Sequence, residues 1–159
     1  MANEIFGSGV TVVNASYTGD NLSSATYSNG LATAPGVVPG GMAPALPADE
    51  SERLADLRDL GVLDTGADPD IDSLVDMAAL VAGTRIALLS IVEEDEQVFK
   101  SAVGLDAERM PRDISFCGHA ILDGPGPMVI PDARRDDRFA DNPIVVGEPN
   151  VVFYAGVPI

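Results

Sequence analysis

Basic residues are scarce in this chain of 159 residues. It has 9 Lys and Arg against 25 Asp and Glu, which gives a formal net charge of −16. Such a surface repels phosphate backbones and anionic lipid headgroups, so the sequence argues against nucleic-acid binding and membrane-surface binding. The charge itself is explained by solubility, including solubility in a salty medium.

Cysteine is limited to Cys117, which excludes an internal disulfide and a thiolate metal cage. No apolar run approaches the roughly 20 residues of a membrane helix. No Lys or Arg precedes Arg53, so the positive start of a secretory signal is lacking. These absences predict a cytoplasmic location, or an extracellular one if the chain is a structural subunit.

The composition divides the chain into three parts. Residues 1–34 are rich in Gly, Ser and Asn, and their β-branched stretch at 10–18 predicts a strand. Residues 35–47 contain repeated Pro, Gly and Ala and have the character of a linker, since proline disfavours helix and central strand. Residues 48–159 carry the regular patterning of a folded domain.

Local signals predict the elements of this third part. Asp49 is a candidate helix cap, with Glu52 placed as in a capping box. Asp68 and Pro69 begin a second helix, whose apolar residues recur at helical spacing. The predicted helices are 49–60, 68–82 and 116–122; the predicted strands are 85–92, 97–103, 128–130 and 151–157. Residues 105–114 are predicted to form a polar loop.

Four ordered blocks indicate a family. They are Leu-Asp-Thr at 63–65, Phe-Cys-Gly-His-Ala at 116–120, Asp-Arg-Phe-Ala-Asp-Asn-Pro at 137–143, and Phe-Tyr-Ala-Gly at 153–156. With their surroundings, these blocks resemble the GAF domains of bacterial sensor histidine kinases and diguanylate cyclases, over about residues 48–159. The resemblance implies an α+β fold, an antiparallel sheet with helices on both faces. One face of such a sheet usually forms a small-molecule pocket, and the helices of the other face usually pair two copies.

The resemblance also implies that the chain lacks a last strand and a closing helix. In the family, that strand lies between the strands that correspond to 85–92 and 151–157. Both would then expose backbone hydrogen-bonding groups, and a solitary monomer would be poorly stable. Either the continuation is absent, or residues 10–18 fill the vacant position, in this chain or in a neighbour. The second case makes Val10, Val12, Val13 and Tyr17 candidate assembly residues.

Cys117 and His119 are the reactive-looking pair, and they allow a thiol enzyme in which the imidazole activates the thiol. Two residues apart on a helix, however, they need not meet, and a resolving thiol is missing. Haem or bilin attachment would use the same two residues, but the surrounding blocks differ from those motifs. The aspartates at 132–141 lack the ligand spacing of a calcium loop, and the arginines among them are predicted to pair with them. We therefore expect no metal and no cofactor.

The sequence predicts a non-catalytic regulatory module that binds a small effector or mediates dimerisation in signal transduction. A homo-oligomer is expected. The alternative is a self-assembling ring or filament, in which residues 9–18 complete a neighbour's sheet. The candidate ligand-binding residues combine aromatic rings with a few polar groups, as suits a small organic effector; they are Phe116, His119, Asp132, Phe139 and Tyr154.

Overall fold

A computed structural model describes residues 8–15, 41–61, 66–122, 124 and 126–159. The fold is α+β, as predicted, and is built on one antiparallel sheet. Its six strands are β1 (Ser8–Ala15), β2 (Ile86–Val92), β3 (Glu96–Val103), β4 (Arg109–Pro111), β5 (Met128–Ile130) and β6 (Val151–Pro158). The α-helices within the described residues are α1 (Glu50–Asp59), α2 (Pro69–Ala82), α3 (Phe116–Ala120) and α4 (Pro143–Val146).

The strand order across the sheet is β4-β3-β2-β1-β6-β5. The N-terminal strand β1 therefore lies in the middle, antiparallel to both β2 and β6. Gly9 pairs with Ser90 on one side and with Pro158 on the other. The position that the resemblance leaves vacant, between residues 85–92 and 151–157, is thus occupied by a strand of this same chain. Val10, Val12 and Val13 lie on β1, whereas Tyr17 is outside the described residues.

Helices cover both faces of the sheet. Successive residues of a strand point to opposite faces, and β2 is apolar on both, so each of its faces needs covering. On one face Ile91 packs against α1, and Ala87 packs against α2. On the other face Leu88 joins the main core, which α3 and α4 cover. Helices on both faces of an antiparallel sheet are what the sequence predicts.

Helix α2 begins and ends where its local signals place it. The Asp68 side chain accepts a hydrogen bond from the Asp70 amide, and Gly83 ends the helix with φ 62°. Its apolar residues, however, do not form one buried face: Val75 is buried, whereas Leu74 and Val81 are 58% and 81% exposed. The helix is therefore apolar on two sides, only one of which faces the sheet.

Two local predictions are wrong. Asp49 is the N-cap residue of α1, but within the described residues its side chain makes no capping hydrogen bond, so the capping box with Glu52 does not form. Residues 105–114 are not wholly a loop, because β4 pairs with β3 at the sheet edge and buries Met110. Pro111 ends this short edge strand, a position that tolerates proline. Among the described residues, no helix is long and apolar enough to cross a membrane.

Candidate functional site

Aromatic rings between α3 and the sheet form the centre of the candidate site. Phe116 stacks on Phe139 with ring centroids 4.0 Å apart and an interplanar angle of 9°. The Tyr154 ring also stacks on Phe116, with centroids 5.0 Å apart, and the His119 and Phe139 rings meet edge-on at 4.9 Å. The structure therefore brings together four of the five residues that the sequence selects.

Local capping positions these rings. The Ser115 hydroxyl accepts a hydrogen bond from the Gly118 amide at 3.0 Å and starts α3, so that Phe116 points inward. Asn142 starts α4 in the same way and accepts from the Ile144 amide. Its side-chain nitrogen also donates to the Ile114 carbonyl at 3.0 Å, which ties α4 to the start of α3. Short helices of this kind depend on such caps because their own hydrogen bonds are few.

A buried polar network surrounds the thiol of Cys117. The Gln97 amide nitrogen donates to the Cys117 sulfur at 3.1 Å and to the Ser90 hydroxyl at 2.7 Å. The hydroxyls of Ser90 and Tyr154 approach the same sulfur at 3.7 and 3.6 Å. The Ser115 hydroxyl donates to the Gln97 carbonyl oxygen. The network holds Gln97 and the thiol in fixed positions beneath the aromatic stack.

An apolar cavity opens beside this network, on the face of the sheet that α3 and α4 cover. The space open to the centre of a water-sized sphere is about 40 Å³, which suffices for a few water molecules. Gln97, Cys117 and Tyr154 form its polar wall. The rest of the lining is apolar: Ile86, Leu88, Phe99, Leu105, Met110, Phe116, Ile144, Pro149 and Val151. The cavity can hold a small, largely apolar molecule with one hydrogen-bonding group.

His119 faces a different part of the molecule from the thiol network. Its Nε2 lies 2.8 Å from the carbonyl oxygen of Met42, in the segment that precedes α1. A carbonyl oxygen only accepts, so Nε2 carries a hydrogen and donates it. The Cys117 sulfur is instead directed at Gln97, Ser90 and Tyr154. The arrangement therefore gives the imidazole a structural partner of its own.

Asp132 does not join the aromatic stack. Its carboxylate accepts two hydrogen bonds from Arg134, each 2.8 Å long, and these bonds hold the pKa of Asp132 below its usual range. Asp136 pairs with Arg138 in the same manner, which lowers the pKa of that carboxyl group. Two of the three arginines among the acids, Arg134 and Arg138, thus pair with them as predicted. Across residues 41–61 and 66–159, leaving aside Asp123 and Pro125, no group of three His, Cys, Asp or Glu could hold a metal ion.

A second buried polar cluster lies at the start of α1. Glu50 accepts two hydrogen bonds of 2.8 Å from Arg53 and one from Arg112. Burial alone would raise the pKa of Glu50, but the hydrogen bonds and charges of the two arginines outweigh it and lower the pKa to about 2. Arg53 and Arg112 also donate to carbonyls of the β2–β3 region, at Val92 and Glu93. The cluster therefore fastens α1 to the sheet.

Sequence reasoning missed Gln97, Ser90 and the Glu50 cluster. A signal existed for Gln97, because it occupies an inward position of a strand that alternates with outward residues. A polar residue at such a position needs a buried partner. No comparable signal exists for Glu50 and Arg112, which are 62 residues apart and meet only through the fold.

No protein-family profile matches the chain. Over 116 residues, or 73% of its length, the chain is 44% identical to a cyclic di-GMP phosphodiesterase of Pseudomonas aeruginosa. The matched segment spans about 20% of that protein. The chain is therefore similar to one segment of a protein of cyclic di-GMP signalling.

Proposed function

We propose that this chain is a non-catalytic regulatory module of cyclic di-GMP signalling, and that two copies pair through the exposed face of α2. The proposal is supported by the similarity to a cyclic di-GMP phosphodiesterase. The matched segment is about 20% of that protein, which is too little to include all of its domains. The observation that carries the pairing is the second apolar face of α2. An output domain would then respond to changes within the pair.

The exposed face of α2 consists of Leu74, Met77, Leu80 and Val81, which are 58%, 56%, 82% and 81% exposed. Leu74, Met77 and Val81 are spaced by three and four residues, so they lie on one side of the helix. Each large apolar side chain contributes about 1.5–3 kcal/mol when it is fully buried. A concentrated apolar stripe of this kind marks a contact surface rather than scattered exposure.

The occupant is a second copy of the same chain, because two such helices can pack by symmetry with identical apolar stripes. The net charge of −16 opposes this contact through long-range repulsion. Salt screens that repulsion and strengthens apolar burial, so the dimer should tighten as NaCl rises. A dimer held by ion pairs would respond in the opposite direction.

Sedimentation equilibrium of the full chain tests the pairing. Wild type should show a monomer–dimer equilibrium, and Leu80→Ser with Val81→Ser should weaken it at least tenfold. Val146→Ser is the matched control, since Val146 is 66% exposed but lies on α4, on the opposite face. A monomeric wild type at every concentration, or equal weakening by the control, would show that α2 is not the contact.

The absence of catalysis needs a separate assay. Cyclic di-GMP incubated with the full chain should stay intact, as followed by chromatography. Hydrolysis that survives repurification and is lost in Cys117→Ser would instead support the thiol enzyme.

The cavity beside Cys117 supports effector binding as part of the same module. Its size excludes a cyclic dinucleotide without movement of its walls, so we expect a small apolar effector. Xenon under pressure is the probe, with amide chemical shifts of the full chain as the measurement. Leu105→Trp, which places a larger side chain in the cavity lining, should abolish the shifts near β2 and β3. Leu122→Trp is the control because Leu122 is exposed and does not line the cavity. Xenon shifts unchanged by Leu105→Trp would contradict this assignment.

Strand exchange is a second candidate function, and the placement of β1 is the observation that favours it. β1 is a central strand with a ladder on each side, yet residues 16–40 separate it from the rest of the chain. Twenty-five residues can span up to about 80–90 Å when extended, enough to reach another copy. The same β1 position could thus be filled by a neighbour's strand, giving closed rings or open filaments.

A cysteine pair distinguishes the two cases. Val12 and Ala155 are register partners across β1 and β6, so cysteines at both positions, in a Cys117→Ser background, should form a disulfide. Exchange predicts cross-linked dimers and ladders on a non-reducing gel, increasing with the protein concentration during refolding. Cross-links confined to single chains at every concentration would rule out exchange.

A further inference from the structure

Residues 41–47, which we call the strap, lie across α3 and the turn before α4. The backbone of Met42 is held on both sides: its amide donates to the Arg138 carbonyl at 2.9 Å, and its carbonyl accepts from His119 Nε2 at 2.8 Å. His119 is 7% exposed, so its imidazole is a buried polar group whose Nε2 is satisfied by the strap. Because a buried polar group without a partner costs free energy, His119 favours the docked strap.

Gly118 provides the space that the strap occupies. A Cβ placed on Gly118 would lie 2.7 Å from Cγ and 3.3 Å from Cβ of Pro44. The Pro44 ring therefore rests directly on the backbone of α3, at the residue that precedes His119. Gly41 makes a similar approach to Asn142, since a Cβ placed on Gly41 would lie 3.2 Å from the Asn142 Cα. Two close backbone approaches flank the two hydrogen bonds of Met42.

We propose that the cleft formed by Gly118, His119 and Arg138 is a binding site for a proline-containing extended segment, and that its occupant is the strap of the same chain. The site contacts the segment in two ways. It forms hydrogen bonds with the backbone of Met42, and Gly118 leaves room for the ring of Pro44. This is a role for His119 beyond the proposed function, since the imidazole serves a peptide contact rather than a small effector.

The strap also bears on the cavity. α3 has five residues, and it carries both the strap contacts at Gly118 and His119 and the cavity-lining residues Phe116 and Cys117. A force that moves the strap therefore acts on the cavity wall through one turn of helix. Release of the strap exposes His119 to solvent and removes these contacts from α3.

Gly118→Ala in the full chain tests the site. In a free helix this change is stabilising, so any loosening must come from the clash with Pro44. Hydrogen exchange at the Met42 amide should accelerate at least tenfold. Since the chain has one histidine, the rate of its carbethoxylation by diethylpyrocarbonate reports on His119 alone and should rise as well. Gly126→Ala is the control, because no described atom beyond its two chain neighbours lies within 4 Å of its added Cβ.

Pro44→Gly supplies the second half of the test. Alone, it should accelerate exchange at Met42 while leaving α3 unaltered. In that background Gly118→Ala should change the exchange rate less than twofold, because the ring that clashes is gone. The proposal is overturned if Gly118→Ala behaves like Gly126→Ala, if Pro44→Gly alone leaves Met42 protected, or if the effect of Gly118→Ala is the same in both backgrounds.

Discussion

Replacing Glu50 by glutamine removes the one anion that two buried arginines share. The Glu50 side chain is 12% exposed, and those of Arg53 and Arg112 are each 3% exposed. Without the carboxylate, both guanidinium groups keep their charge in a largely desolvated place. Arg112 already has its Nε and Nη2 buried with no hydrogen-bond partner among the described residues, so losing the carboxylate leaves its guanidinium less satisfied still.

The pKa of Glu50 gives the magnitude. It falls from 4.5 to about 2 on folding, and each tenfold change in proton affinity is about 1.4 kcal/mol. The ionised carboxylate therefore contributes on the order of 3 kcal/mol of stability at neutral pH. Because the folded pKa is depressed, this contribution is complete above pH 4.5 and is lost as the pH falls from 4.5 towards 2.

Urea denaturation at several pH values measures the effect. At pH 7 Glu50→Gln should lower the free energy of unfolding by about 3–5 kcal/mol, the range for breaking a buried ion pair. The gap between wild type and variant should then shrink between pH 4.5 and 2. Glu52→Gln is the matched control, since Glu52 is exposed on the same helix turn. A gap that equals the control at pH 7, or that does not change with pH, would refute the reasoning.

Three further substitutions, one of them with a matched control, address the sheet and the core. Gly104→Ala should lower the free energy of unfolding by more than about 2 kcal/mol, because φ is +74° and the added Cβ would lie too close to the Arg85 carbonyl oxygen. Gly61→Ala is its control: φ is +63° but the surrounding space is open, so the cost should be the backbone strain alone, about 1–2 kcal/mol. Gln97→Ala should cost about 1–3 kcal/mol, since it leaves buried hydroxyls without their partner. Phe139→Ala should cost about 3–5 kcal/mol, because the ring is fully buried in the stack. Urea titration checks all three, and a cost below about 1 kcal/mol for any of them would contradict its contact.

The elements that the sequence predicts are those with local signals. Asp68, Pro69 and Gly83 specify the ends of α2, and the unbroken apolar run gives β2. By contrast, periodicity finds the apolar residues of α2 but cannot assign them to the sheet or to an outer contact. β4 is only three residues long and forms because it pairs with the edge of β3. That pairing depends on the folded structure, so no local signal predicts it.

The candidate site divides in the same way. Phe116, Phe139 and Tyr154 can be predicted because large aromatic residues in a folded domain tend to cluster. The partner of His119 cannot be predicted, because Met42 lies 77 residues away in a linker and contributes only its backbone. Asp132 is selected for its carboxylate, but a neighbouring arginine two residues on binds it locally.

The N-terminal arm is held at two places, β1 in the sheet and the strap on α3, and the two should be nearly independent. With the strap docked, the two anchors are separated by residues 16–40; with the strap released, the separation extends through residue 48. Lengthening a loop from 25 to 33 residues costs only about 0.2 kcal/mol of closure entropy. β1 has a ladder of backbone hydrogen bonds on each side, which far exceeds that amount. Gly118→Ala should therefore accelerate exchange at Met42 and leave the β1 amides as protected as in wild type. Equal acceleration at both places would mean that the strap holds the central strand in the sheet, and the two anchors would then have to be treated as one cooperative unit.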